Sequence, residues 1–256
     1  MFATYRTAAL TALAALTLLA SATAQQLSIG VDAGIGLSAF RYSFEEEFMG
    51  ESFDTAFTSD RLATLALRIP IGLRLGEHFA LAVAPGYQVR GSQDEFSYED
   101  DLAGVVYRYD DTQEIRFSYV TLDAMAYGGL PLGKLRLDLG VGPSLGYGLT
   151  AKSEFVYTSY INGEVDERES DTEDLDWDDD DINRLLLELV AAPRISLPVG
   201  PGTLGLEARY THQLNNLLDD EDSSDDDEFT VKARTFSFLL GYSIPLGKSA
   251  AAPASE

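Results

Sequence analysis

From Gln26 onward, apolar side chains recur at every second position in eight separate segments. A period of two puts successive side chains on opposite faces of an extended chain, so each segment predicts a β-strand with one apolar face. The segments lie at 27–37, 64–74, 79–88, 119–127, 135–149, 185–196, 204–211 and 235–244. In the first, Leu27, Ile29, Val31, Ala33, Ile35 and Leu37 oppose Ser28, Gly30, Asp32, Gly34 and Gly36. The fifth is the clearest: Leu135, Leu137, Leu139, Val141, Leu145, Tyr147 and Leu149 oppose Arg136, Asp138, Gly140, Gly142, Ser144, Gly146 and Gly148. Helical spacing fits none of the eight as well.

The connections alternate in length. LGEH (75–78), PLGK (131–134) and PVGPG (198–202) are short and rich in turn residues. The other four, at about 44–60, 91–113, 152–182 and 215–228, are long and hold 6, 7, 13 and 8 of the 42 carboxylates. Connections of that length signal function or mobility. Short and long links alternating over an even strand number form the pattern of an outer-membrane barrel, with short periplasmic turns and long external loops. The expected fold is therefore all-β, an eight-stranded antiparallel up-and-down transmembrane β-barrel with both termini on the periplasmic side.

A soluble eight-stranded barrel would alternate too, but with its apolar face inward. The non-apolar face separates the two. It carries small residues such as Gly140, Gly142, Gly146 and Gly205, and among them a balanced set of charges. Eight strands enclose a lumen only wide enough for side chains to fill. Arg68, Arg74, Arg90, Arg136, Arg194 and Arg209 share this face with Asp32, Asp123, Asp138, Glu188 and Glu207. Charges away from bulk water persist when paired, and guanidinium suits carboxylate. The candidate site is thus an ionic plug of the lumen: Asp32, Arg68, Asp123, Arg136, Asp138, Glu188, Arg194, Glu207 and Arg209. Phe40, Tyr42, Phe79, Tyr87, Tyr210, Phe236 and Tyr242 suit the two aromatic girdles of a membrane-facing wall.

Composition narrows the function. A net charge of -24 argues against nucleic acid as a partner, and with no Cys there is no disulfide or thiolate chemistry. Arg6, the apolar run 8–20 and the ATA pattern at 22–24 predict a signal peptide over 1–24, cleaved after Ala24. The barrel then spans 25–247 and a polar tail 248–256. The alternating Asp174, Asp176, Asp178 and Asp180 form a candidate calcium site, since calcium takes clustered oxygens. They lack the EF-hand spacing, and a solvated, self-repelling loop is the preferred reading. The two histidines, His78 and His212, have no serine and acid in a nucleophilic arrangement, so neither an enzyme nor a cofactor is expected. Two functions stay open: an accessory barrel of an envelope assembly, or a barrel whose acidic loops bind an external ligand or a divalent cation.

FSYVTLDAMAYGGL (117–130), LRLDLGVGPSLGYGL (135–149), LGLEARYTHQLNNL (204–217) and FSFLLGYSIPLG (236–247) resemble the small outer-membrane barrels that include the PorT-like proteins of the Bacteroidetes group. Where that family shows Glu and Pro in its equivalent of the fourth strand, this chain has Asp123 and Ala124–Met125. The resemblance implies an outer-membrane barrel in contact with lipid. One branch of the family implies envelope or type IX secretion proteins as partners.

Overall fold

The computed structural model describes residues 25–48, 51–102, 104–177, 181–218 and 227–246. The expected signal peptide, the polar tail, Asp178 and Asp180 lie outside the described residues. Eleven strands are described: β1 (Gln25–Phe48), β2 (Glu51–Thr58), β3 (Leu62–Arg68), β4 (Ile71–Leu75), β5 (Phe79–Leu102), β6 (Val105–Leu132), β7 (Leu135–Ile161), β8 (Glu164–Leu175), β9 (Leu185–Val199), β10 (Gly202–Gln213) and β11 (Asp227–Leu246).

Every pairing is antiparallel, and β11 returns to β1 from Leu27↔Leu246 through Glu46↔Asp227, so the sheet closes on itself. β3 and β4 follow one another between β1 and β5 as a single stave. Pro70, which has no N–H to give, separates them. Its carbonyl still accepts from Gly30 N at 2.9 Å, and Ile69 N donates to Pro85 O at 2.9 Å. Counting that stave once, the ring runs β1, β3–β4, β5, β6, β7, β9, β10 and β11. The fold is an eight-stranded antiparallel up-and-down barrel.

The strand faces follow the sequence period. Ile35, Leu139, Leu187, Leu206 and Phe238 point outward and are exposed, whereas Asp32, Asp123, Ser144, Glu188 and Glu207 are buried inside. A wall with its large aliphatic residues outside is suited to lipid. Where β6 pairs with β7, the register shifts between Ser118 and Tyr119, and Leu149 and Thr150 are both exposed. This bulge resets the alternation so that Ala151 turns inward.

The barrel's two ends differ. At one end, the turn end, the links are short, and Gly76, Gly133 and Gly200 adopt the positive φ that tight hairpins demand. At the other, much of the chain expected as long loops continues as β-ribbon. β5 and β6 stay paired to Leu102↔Val105, and β7 and β8 to Ile161↔Glu164. The physical reason is legible: Tyr107, Tyr109, Phe155, Val156 and Tyr157 favour strand, and Asn162–Gly163 is a hairpin turn. Tyr109 stacks on Tyr157 with centroids 6.2 Å apart. On this ribbon the Asp110 carboxyl is held below the ordinary carboxylate range by hydrogen bonds from Arg108 and then Ser97.

Candidate functional site: two tiers inside the barrel

The lumen is filled at two levels. The first is ionic. Arg68, on β3, reaches Asp32 on β1 at 2.9 Å, Glu207 on β10 at 2.8 Å and Asp123 on β6 at 3.3 Å. Arg209, two residues along β10, takes the same Asp123 oxygen at 2.8 Å. Tyr127 donates to the other oxygen of Glu207 at 3.3 Å. Toward the ribbon end, Arg90 on β5 binds Glu188 on β9 at 2.8 Å, and Gln88 donates to the same carboxylate at 3.1 Å. Asp123 is fully buried, and every other partner in these pairs is nearly so. Two guanidiniums thus face three carboxylates at the centre, with a separate one-to-one pair above.

Small residues make the room. A Cβ on Gly241 would collide with the Asp32 carboxylate, and one on Gly205 would lie 2.6 Å from Arg194 Nε. A side chain at Gly241 would displace the ion-paired Asp32 carboxylate, and one at Gly205 would displace the Arg194 guanidinium.

The nine residues expected in one cluster are divided. Asp32, Arg68, Asp123, Glu207 and Arg209 meet at the centre. Glu188 belongs with Arg90, a residue read on the polar face but not placed in the cluster. Arg136 and Asp138 pair with each other at 2.7 Å nearer the turn end, where Arg136 also donates to the Glu77 carbonyl. Arg194 lies beside Asp138 and Glu207 in the ladders, yet among the described residues it forms no ion pair. With Arg74, Arg136 and Asp138 it lines a cavity of about 120 Å³ at the turn end.

The second tier, at the ribbon end, is aromatic, and sequence reasoning missed it. Phe40, Phe117, Tyr119 and Trp177 pack together inside the barrel: Phe40–Phe117 at 5.8 Å, Phe117–Trp177 at 5.6 Å and Tyr119–Trp177 at 6.0 Å between centroids. Ile182, Leu186, Leu217 and Val231 complete the cluster. Trp177 covers Gly148, and its carbonyl accepts from Ile182 N at 2.9 Å, which ties these two cluster residues together. Asn216 holds the other side, accepting from Val231 N at 2.7 Å and donating to Phe229 O at 3.1 Å.

Two expectations are corrected here. Phe40 and Tyr42 are not girdle residues: Phe40 is 2% exposed, and Tyr42 packs against the same internal cluster. Their even numbering, shared with Asp32, Gly36 and Ser38, was the available signal. Ile182, 8% exposed, belongs to the same internal cluster. Phe79, Tyr210, Phe236 and Tyr242 do face outward and are exposed.

Of the candidate calcium ligands, Asp174 is exposed and reaches Lys152 at 3.1 Å, and Asp176 precedes Trp177 in the cap turn. Among the described residues no group of three or more His, Cys, Asp or Glu side chains could hold a metal ion. His78 Nδ1 lies 3.1 Å from the Gly129 carbonyl, and His212 is on the outer wall of β10. Neither stands beside an acid and a serine in a triad.

The sequence pattern that describes the outer membrane protein beta-barrel domain matches residues 23–219. The chain belongs to this family. It is an outer-membrane β-barrel protein. No curated protein sequence matches it. Similar solved structures include Neisserial surface protein A, at 12% identity over 87% of this chain and 99% of that one, with a TM-score of 0.37. Ail, the attachment invasion locus protein of Yersinia pestis, is 14% identical over 85% and 98% of the two chains, with a TM-score of 0.31. The outer membrane protease OmpT from Escherichia coli is 10% identical over 86% and 97%, with a TM-score of 0.30.

Proposed function

We propose that the protein is a non-conducting, non-catalytic barrel that serves as an accessory or scaffold subunit of an envelope assembly, of the kind the PorT-like resemblance implies. In this reading the signal peptide is removed after Ala24, the short turns lie in the periplasm and the ribbons project outside the cell. The observation that carries it is the two-tier filling of the lumen, which leaves the ribbons rather than the interior to meet other molecules. The ribbons carry apolar side chains beyond the barrel wall, with Phe96, Tyr98, Leu102 and Val165 all exposed. Exposed apolar residues outside the lipid-facing band suit contact with protein.

Photo-crosslinking from positions 96, 102 and 165 in intact cells tests this. The expected result is a discrete set of envelope proteins captured from the ribbons and not from Leu139 on the wall. Capture of none would remove the scaffold reading. Saturable calcium binding abolished by Asn at Asp174 and Asp176 would replace it with the cation-binding one.

A further inference from the structure

The charges inside the barrel are mostly paired, but one group outside it is not. On β11 the outward positions Ile244, Tyr242, Leu240, Phe238 and Phe236 are apolar and exposed. From Leu246 to Phe236 the strand has about the 9–11 residues that a tilted strand needs to cross hydrocarbon. The next two outward positions are Arg234 and Lys232. The same change occurs on both neighbours. On β1, Ile35 and Leu37 give way, beyond Ala39, to Arg41; on β10, Tyr210 gives way to His212. The ladder places Arg41 opposite Lys232, and His212 opposite Arg234.

Like charges directly opposed across a ladder destabilise it. Three other exposed cations, Arg108, Arg116 and Lys152, each have a carboxylate partner. Arg41, Lys232 and Arg234 have none among the described residues, in a chain with more than twice as many acids as bases. Arg234 Nε and His212 Nδ1 are buried without a hydrogen-bond partner. The four side chains, with the hydroxyls of Ser43 and Thr230, line a cleft of about 310 Å³. Along the register, the cleft falls between the apolar band ending at Phe236 and the acidic pair Glu45↔Glu228.

We propose that this cleft on β1, β10 and β11 binds the phosphate of an anionic membrane lipid. Its position supplies the occupant: the patch begins where the lipid-facing band ends, at the level of the headgroups. Guanidinium forks match phosphate oxygens, Lys232 adds a point charge, and the two hydroxyls donate to the same oxygens. Tyr210 and Phe236, just below, suit the boundary between acyl chain and headgroup. A bound phosphate would also relieve the opposition of Arg41 and Lys232.

The test uses the folded chain reconstituted in phosphatidylcholine vesicles doped with phosphatidic acid or, as the uncharged counterpart, diacylglycerol. Intact-protein mass spectrometry then reads the lipid retained after transfer to mild detergent. The unmodified protein should keep phosphatidic acid and release diacylglycerol. The R41Q/K232Q/R234Q variant should bind phosphatidic acid on the order of a hundredfold less tightly, since each surface cation contributes about fivefold. R108Q, which removes a paired cation on the ribbon, should bind as the unmodified protein does. In uncharged detergent the triple variant should unfold in urea no earlier than the parent, because it removes a repulsion. Equal retention by parent and triple variant overturns the proposal. Displacement of phosphatidic acid by an equal concentration of inorganic phosphate overturns the lipid as occupant, and earlier unfolding of the triple variant assigns these cations a structural role instead.

Discussion

The two tiers of the lumen fill the same narrow tube with opposite chemistry. The ionic waist joins staves that are distant along the chain: Arg68 alone ties β3 to β1, β6 and β10. The aromatic cap joins connections to the wall, because Trp177, Ile182 and Leu217 come from segments between strands. The waist therefore depends on correct closure of the ring, and the cap on correct seating of its links. Their energetics differ as well. A buried charge that loses its partner is stranded, whereas a lost ring leaves a cavity into which neighbours can partly relax.

The largest effect should come from breaking the waist at Asp123. Asp123→Ala strands Arg209, removes one of the three partners of Arg68, and should cost about 3–5 kcal/mol, read by urea unfolding in lipid vesicles. Replacing Arg90, Glu188 and Gln88 jointly by Met, Leu and Leu should instead be near neutral, since no buried polar partner is then left behind. That contrast separates the cost of a broken pair from the net contribution of an intact one.

Trp177→Ala comes next, at about 3 kcal/mol, toward the lower end for loss of a buried aromatic, because the cap borders solvent. Its signature should be local, with faster amide exchange at Ile182 and Leu217 while the waist stays protected. Asn216→Ala loses one hydrogen bond given and one accepted, and should cost about 1–2 kcal/mol in the same assay. The smallest effect belongs to the exposed ion pair outside both tiers. Lys152→Ala should change stability by less than about 1 kcal/mol, since Lys152 and Asp174 are 52% and 81% exposed.

The waist was largely legible in the sequence and the cap was not. Alternation alone put Asp32, Arg68, Asp123, Glu207 and Arg209 on one face of their strands, and eight strands leave them nowhere to go but toward one another. Which of them meet was not legible, because the stagger between strands decides whether Glu188 faces Arg90 or Arg194. The cap lies where the period stops. Trp177 sits in an acidic stretch that reads as solvated, and only its burial over Gly148 reveals it. The ribbons were legible in part: Asn162–Gly163 between two β-prone runs is a hairpin signal, outweighed by the many carboxylates around it.

Waist and cap together should leave no continuous path through the barrel. Single-channel recording of the unmodified protein in planar bilayers tests it most directly. No steady conductance is expected at any moderate voltage, with openings appearing only when Asp123→Ala and Trp177→Ala are combined. Large, stable conductance from the unmodified chain would contradict it.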